Sequence, residues 1–156
     1  MKKGGYIVSA CLLGRRCRYN GEDKRHPGVV RFLRRKNYLA ICPEMLAGWA
    51  SPRLPVEFHG GGAAAVAEGK ATIRDSRGRD RTASLTRGIQ RALRQAAAQG
   101  TGEAILKEKS PSCGVKRVFR DGRLERGEGL FTRWLRKKGV RVRSDEDFPI
   151  KRSKKP

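Results

Sequence analysis

Apolar residues in this chain come in short runs, set apart by basic and turn-rich segments. Tyr6-Ile7-Val8-Ser9-Ala10 predicts a buried strand over 5–10 that runs into Cys11. Tyr38-Leu39-Ala40-Ile41 predicts a second, running into Cys42-Pro43-Glu44. Glu103–Leu106 predicts a third, followed by Lys107 and the loop Ser110-Pro111-Ser112-Cys113-Gly114. Between the first two, Pro27 can open a helix whose apolar face is Val29, Val30, Phe32 and Leu33. Leu85, Ile89 and Leu93, joined by Ala92 and Ala96, predict a long helix over 81–99, with Gly100 as its natural stop. Leu130, Trp134 and Leu135 predict a helix over 129–138, and residues 140–142 a last strand.

The remaining stretches carry weaker patterns. Pro52, Pro55 and Gly60-Gly61-Gly62 make residues 45–62 read as irregular. Residues 63–80 suggest a short edge hairpin around 70–73, with a turn at Gly78. Residues 115–119 extend briefly before the turn pair Asp121-Gly122. Strand–helix alternation argues an α/β domain, a parallel sheet with helices on both faces, as a single domain over residues 1–144. Residues 145–156, ending in the charged Lys151–Pro156, are expected to lack fixed structure.

Composition narrows the setting. A chain of 156 residues can bury one core. No apolar run approaches the roughly 20 residues of a membrane span. The stretch after Lys2-Lys3 has no cleavage signature, so a cytoplasmic protein is expected. The formal net charge of +22 would attract phosphates or nucleic acid. Few aromatics interleave the arginines, which places nucleic acid second to a small anionic ligand.

The four cysteines are Cys11, Cys17, Cys42 and Cys113. In a reducing compartment they point to metal or catalysis rather than disulfides. No C-x-x-C pair exists, and His26 and His59 lack metal-motif spacing, which argues against structural zinc. A Cys-phosphatase would need an arginine six residues after its nucleophile, and six after Cys11 is Cys17. A catalytic cysteine with His59 as its base is a further reading. Three of the four cysteines lie at strand ends, where ligands gather in open α/β sheets. Three thiolates converging there suit an iron–sulfur cluster with one open iron, able to act as a Lewis acid. The alternative is three small buried residues beside turns. Cys17 is either a fourth ligand or a packed residue.

Glu44 could shuttle a proton in such a site, or cap a helix. Ser110 could orient a water, or serve the turn. Arg18 and Lys107 could bind an anion, or be surface charges.

Five segments in order carry a resemblance: Ser9–Gly14, Cys17–Gly21, Cys42-Pro43-Glu44, Ser51–Pro55 and Leu106–Gly114. Their wording resembles the DUF523 family, which includes thiouracil desulfidases, over nearly the whole chain to about Ser144. The resemblance implies a Rossmann-like fold holding a 4Fe–4S cluster on Cys11, Cys42 and Cys113. It implies a non-redox desulfuration of 4-thiouracil or a nucleotide such as 4-thiouridine monophosphate. The thiocarbonyl sulfur binds the open iron, water attacks the ring carbon, and the sulfur leaves as hydrogen sulfide. Glu44 and Ser110 then stand at the catalytic positions, with Arg18, Lys107 and Ser112 as substrate contacts. Residues 44–51, E-M-L-A-G-W-A-S, depart from the Gly-Gly pair and threonine of many relatives, so a changed pocket wall is expected. Two rivals remain: a basic RNA-binding module with a structural metal site, and a desulfidase of thiolated tRNA.

Overall fold

The computed structural model describes residues 5–150. In chain order the elements are β1 (Tyr6–Ser9), α1 (Pro27–Leu33), β2 (Tyr38–Ile41), α2 (Pro43–Leu46), β3 (Val56–His59), α3 (Ala63–Ala67) and β4 (Thr72–Asp75). They continue with α4 (Thr82–Gln99), β5 (Glu103–Leu106), β6 (Arg117–Arg120), β7 (Arg123–Arg126), α5 (Leu130–Lys137) and β8 (Arg141–Ser144). One sheet has the order β2-β1-β5-β8, and its three pairings are parallel.

Alternate residues of these strands feed two cores, as pleating requires. Ile7, Ala104 and Leu106 face α4 and α5, where they meet Leu85, Ile89, Phe131 and Leu135. Val8 and Ile105 face the other side, against Val29 and Leu33 of α1. The sheet therefore carries helices on both faces, as the alternation of the sequence predicts. Ser9 pairs with Ile41, and Leu106 with Ser144, so the strands stop at nearly one level. From β1 the chain moves outward to β2 through α1, and β5 lies on the opposite side of β1. Ligands favour that reversal of strand order.

The stretch read as irregular supplies β3 to a second sheet, of order β4-β3-β6-β7, in which the expected edge hairpin near 70–73 and the extension over 115–119 fall on β4 and β6. Its β3–β4 and β6–β7 pairs are antiparallel, and β3 meets β6 in parallel at Phe58 and Arg120. Asp121 (φ 49°) and Gly122 (φ 79°) form the tight turn of the β6–β7 hairpin. The prolines before β3 and the arginines of β7 mask the strand pattern there. Each of β3 and β6 buries one side chain deeply, Phe58 and Val118. Gly60–Gly62 make the turn into the five-residue α3.

Packing also continues past Ser144, where loss of structure was expected. Asp145–Asp147 form a 3-10 turn capped by Ser144, and Phe148 is buried against Phe32 with ring centroids 5.0 Å apart. Residues 151–156 lie outside those described. Among the described residues no helix is long and apolar enough to cross a membrane.

Candidate active site

A cavity of about 340 Å³ opens at the carboxyl ends of β1, β2 and β5. The second sheet closes it from the other side with Val56, Glu57 and Phe119. All four cysteines line it. Cys11 sits in a 3-10 turn directly after β1, Cys42 caps the start of α2, and Cys113 rides the loop after β5. Cys17 arrives on the loop after the 3-10 turn and is buried. Cys42 Sγ donates to the Cys17 carbonyl oxygen at 3.9 Å.

These sulfurs are crowded and sheltered. The neighbouring Cys11 thiol is the main cause pushing the Cys17 thiol up to about 11. Cys42 is raised first by the neighbouring Cys17 thiol and then by burial. Burial pushes Cys113 up to about 12, against the opposing bonds of Ser9 and Ser112. Among the described residues no three Cys, His, Asp or Glu side chains gather tightly enough to hold one metal ion. A wall of four soft donors around a roomy cavity fits a multi-iron cluster better than a single ion.

Glu44 enters the cavity from α2 and is buried. Arg53 Nε and Nη2 donate to Glu44 Oε1 at 3.0 and 2.6 Å. The same guanidinium donates to the carbonyls of Cys17 and Ala50 at 2.9 and 3.0 Å. Ser112 Oγ donates to the other carboxylate oxygen, Oε2, at 3.0 Å. Ser110 Oγ accepts from the Cys113 N–H at 2.8 Å and lies 3.0 Å from Ser112 Oγ. Because the Ser112 proton is directed at Glu44, the Ser110 hydroxyl must donate to Ser112. The result is a directed chain from Ser110 through Ser112 to Glu44.

The loop that carries this chain is fixed from both sides. Leu130 N and Phe131 N, at the open start of α5, donate to the carbonyls of Pro111 and Ser112 at 2.7 and 2.9 Å. Gly129 is required there, since a Cβ would overlap Ser112 O. The buried Glu108 carboxylate accepts from the N–H groups of Val115, Lys116 and Arg117. Burial acts to raise the Glu108 pKa. The bonds from Lys116, Ser144, Val115 and Arg117 outweigh it and hold the carboxyl below its ordinary value. Ser9 Oγ accepts from Lys107 N at 2.9 Å, tying β1 to the same loop.

The structure thus brings Cys11, Cys42, Cys113, Glu44, Ser110 and Ser112 to one cavity, with Arg18 and Lys107 in its wall. Arg18 lies over the Tyr19 ring at 5.5 Å, and Lys107 Nζ is 3.7 Å from Asp145 Oδ2. His59 is elsewhere: it stands on β3 near Glu57 and Asp121, outside the cavity lining, which removes the cysteine–histidine reading. His26 caps α1, its ring nitrogen accepting from Val29 N at 3.1 Å. Of residues 44–51, only Glu44 lines the cavity, so the departures that follow it do not change this wall. Sequence reasoning missed Arg53, Glu108 and Ser9. The Ser51–Pro55 motif contained the signal for Arg53, but not its partner.

The family model for 2-thiouracil desulfurase matches residues 6–147. A curated relative, the uncharacterized protein YbbK of Bacillus subtilis (strain 168), is 34% identical over 145 residues, covering 91% of this chain and 96% of its own. A solved structure of a [4Fe-4S]-dependent thiouracil desulfidase, TudS (DUF523Vcz), superposes with a TM-score of 0.78 at 38% identity over 93% of each chain. With motifs, fold and cavity in agreement, this chain belongs to the 2-thiouracil desulfurase family.

Proposed function

We propose that this protein is an iron–sulfur-dependent, non-redox desulfidase of 4-thiouracil-type bases and of nucleotides such as 4-thiouridine monophosphate. The observation that carries the reading is the joining, in one cavity, of strand-end cysteines to the Arg53–Glu44–Ser112–Ser110 chain. Cys11, Cys42 and Cys113 would hold a 4Fe–4S cluster, and Cys17 packs beside them. When bound, the cluster supplies an iron with an open position, a Lewis acid for a soft sulfur.

The chain's own groups then have defined work. The net reaction exchanges a thiocarbonyl for a carbonyl: one water enters and one hydrogen sulfide leaves, with no change of oxidation state. Glu44 accepts the proton of the attacking water, and Arg53 fixes the plane of its carboxylate. Ser112 and Ser110 orient that carboxylate and donate toward it. Pro43, Pro111 and the cavity's apolar wall seat the ring. Arg18 and Lys107, with Lys109 beside them, face the substrate's anionic end.

The test is a set of anaerobically reconstituted variants assayed on 4-thiouracil and 4-thiouridine monophosphate. Cys11→Ala, Cys42→Ala and Cys113→Ala should each lose iron and turnover. Glu44→Gln and Ser110→Ala should keep the iron and lose turnover. Full activity in the three cysteine variants would overturn the assignment.

A further inference from the structure

A second cavity, of about 440 Å³, backs onto the first and shares Arg53 and Val56 with it. Four arginines line it: Arg53, Arg77, Arg79 and Arg81. Two are already committed. Arg53 binds Glu44, and Arg79 Nε donates to Asp75 Oδ2 at 2.9 Å. Asp75 is also saturated on its other oxygen, which accepts from the N–H groups of Arg77 and Arg79. Arg77 and Arg81 have no carboxylate partner among the described residues.

Arg81 is the more telling of the pair. Its Nε is buried and has no hydrogen-bond partner, the one such side-chain nitrogen or oxygen among the described residues. A buried donor left unmet is costly and calls for an acceptor that completes it. The guanidinium is held in place: it lies over the buried Trp49 ring at 4.9 Å. Trp49 Nε1 is in turn tied to Ser84 Oγ at 2.9 Å. A planar, oriented guanidinium with a free N–H edge, beside a second free arginine, is built for an oxyanion with several acceptor oxygens.

We propose that this second cavity is a phosphate-binding site, with the half-buried Arg81 as its anchor and Arg77 as its outer cation. The proposal does not rest on the desulfidase reading. The phosphate can come from a free nucleotide or from a polynucleotide backbone, and both present the same group.

The test follows, by NMR of the full, anaerobically reconstituted chain, the Arg81 Nε–H resonance and the Trp49 Nε1–H resonance beneath it, the latter reporting binding in variants that lack Arg81 Nε. Inorganic phosphate, uridine monophosphate and a short uridine oligonucleotide are titrated in turn. Phosphate should move both resonances saturably. Arg77→Ala, on an exposed turn, and Arg81→Lys, which keeps the charge but loses Nε, should each weaken binding about tenfold, the loss of one charge-assisted contact. Arg141→Ala, at an exposed position of β8, should leave binding unchanged. An oligonucleotide bound with a steeper salt slope than the monophosphate assigns the site to a polynucleotide, and equal slopes assign it to a free nucleotide. Resonances unmoved by all three ligands overturn the proposal, as does wild-type binding by Arg77→Ala and Arg81→Lys. No catalytic readout enters, so a failed desulfidase assay leaves this result standing.

Discussion

Glu44 is held on both oxygens, by Arg53 on one side and Ser112 on the other. Arg53 and Glu44 side chains are 7% and 11% exposed, so the pair is largely removed from water. Deleting one partner of a buried pair leaves the other charge uncompensated. Arg53→Ala should therefore destabilise the fold by about 3–5 kcal/mol in urea unfolding. The double variant Arg53→Ala/Glu44→Ala should recover part of that loss. A double variant no more stable than the single one would deny the pairing. Glu44→Gln keeps the shape and removes the proposed base, so turnover should fall about 10²–10⁴-fold at unchanged iron content. The sequence exposes Glu44 and the three strand-end cysteines because each stands beside an apolar run. Arg53 stays hidden because its partner lies nine positions away across a proline-rich turn.

The elements that deliver these residues are held by backbone contacts. Helix α2, which carries Glu44, lies directly on α4 at Gly88, where a Cβ would overlap Pro43 O and crowd Ala47. Gly88→Val should push α2 away and lower turnover more than it lowers the melting temperature. Unchanged kinetics in that variant would separate α2 placement from activity. The loop of Ser110, Ser112 and Cys113 hangs on Glu108, to which the sequence assigns no role. Only the fold shows three backbone donors converging on it. Its folded pKa is lowered, so its stabilisation is present above the ordinary carboxylate value of about 4.3 and is lost as pH falls through the lowered value. Urea midpoints measured against pH should show this acid loss in the wild type. In Glu108→Gln the midpoint should start lower and its acid limb should flatten. An unaltered profile would mean that Glu108 does not hold the loop.

At the scale of the molecule, the parallel sheet is legible because its central strands, β1 and β5, are buried on both faces and read as continuous apolar runs. The second sheet is legible only in part: β4 and β6 fall on stretches that read as extended, while β3 follows a proline-containing segment and β7 is arginine-rich with no deeply buried residue. That sheet supplies the far wall of the cavity, so the site becomes closed only in three dimensions. The +22 charge has a local counterpart in the cations of the cavity wall and of the arginine cavity behind it. Cys17 adds a fourth sulfur to the same space. The packed role assigned to it predicts that Cys17→Ala retains about four irons per chain and measurable turnover. Loss of one iron's coordination in that variant would instead make it a ligand.

Desulfuration without electron transfer is the activity proposed for this protein. The most direct measurement incubates the anaerobically reconstituted protein with 4-thiouracil, with no reductant or oxidant present. Loss of the thiocarbonyl absorbance and release of hydrogen sulfide are followed together. Repeated turnover is expected, with one sulfide released for each thiocarbonyl lost. A protein that takes up iron but needs an added electron donor to turn over, or that leaves the thiocarbonyl intact, would contradict it.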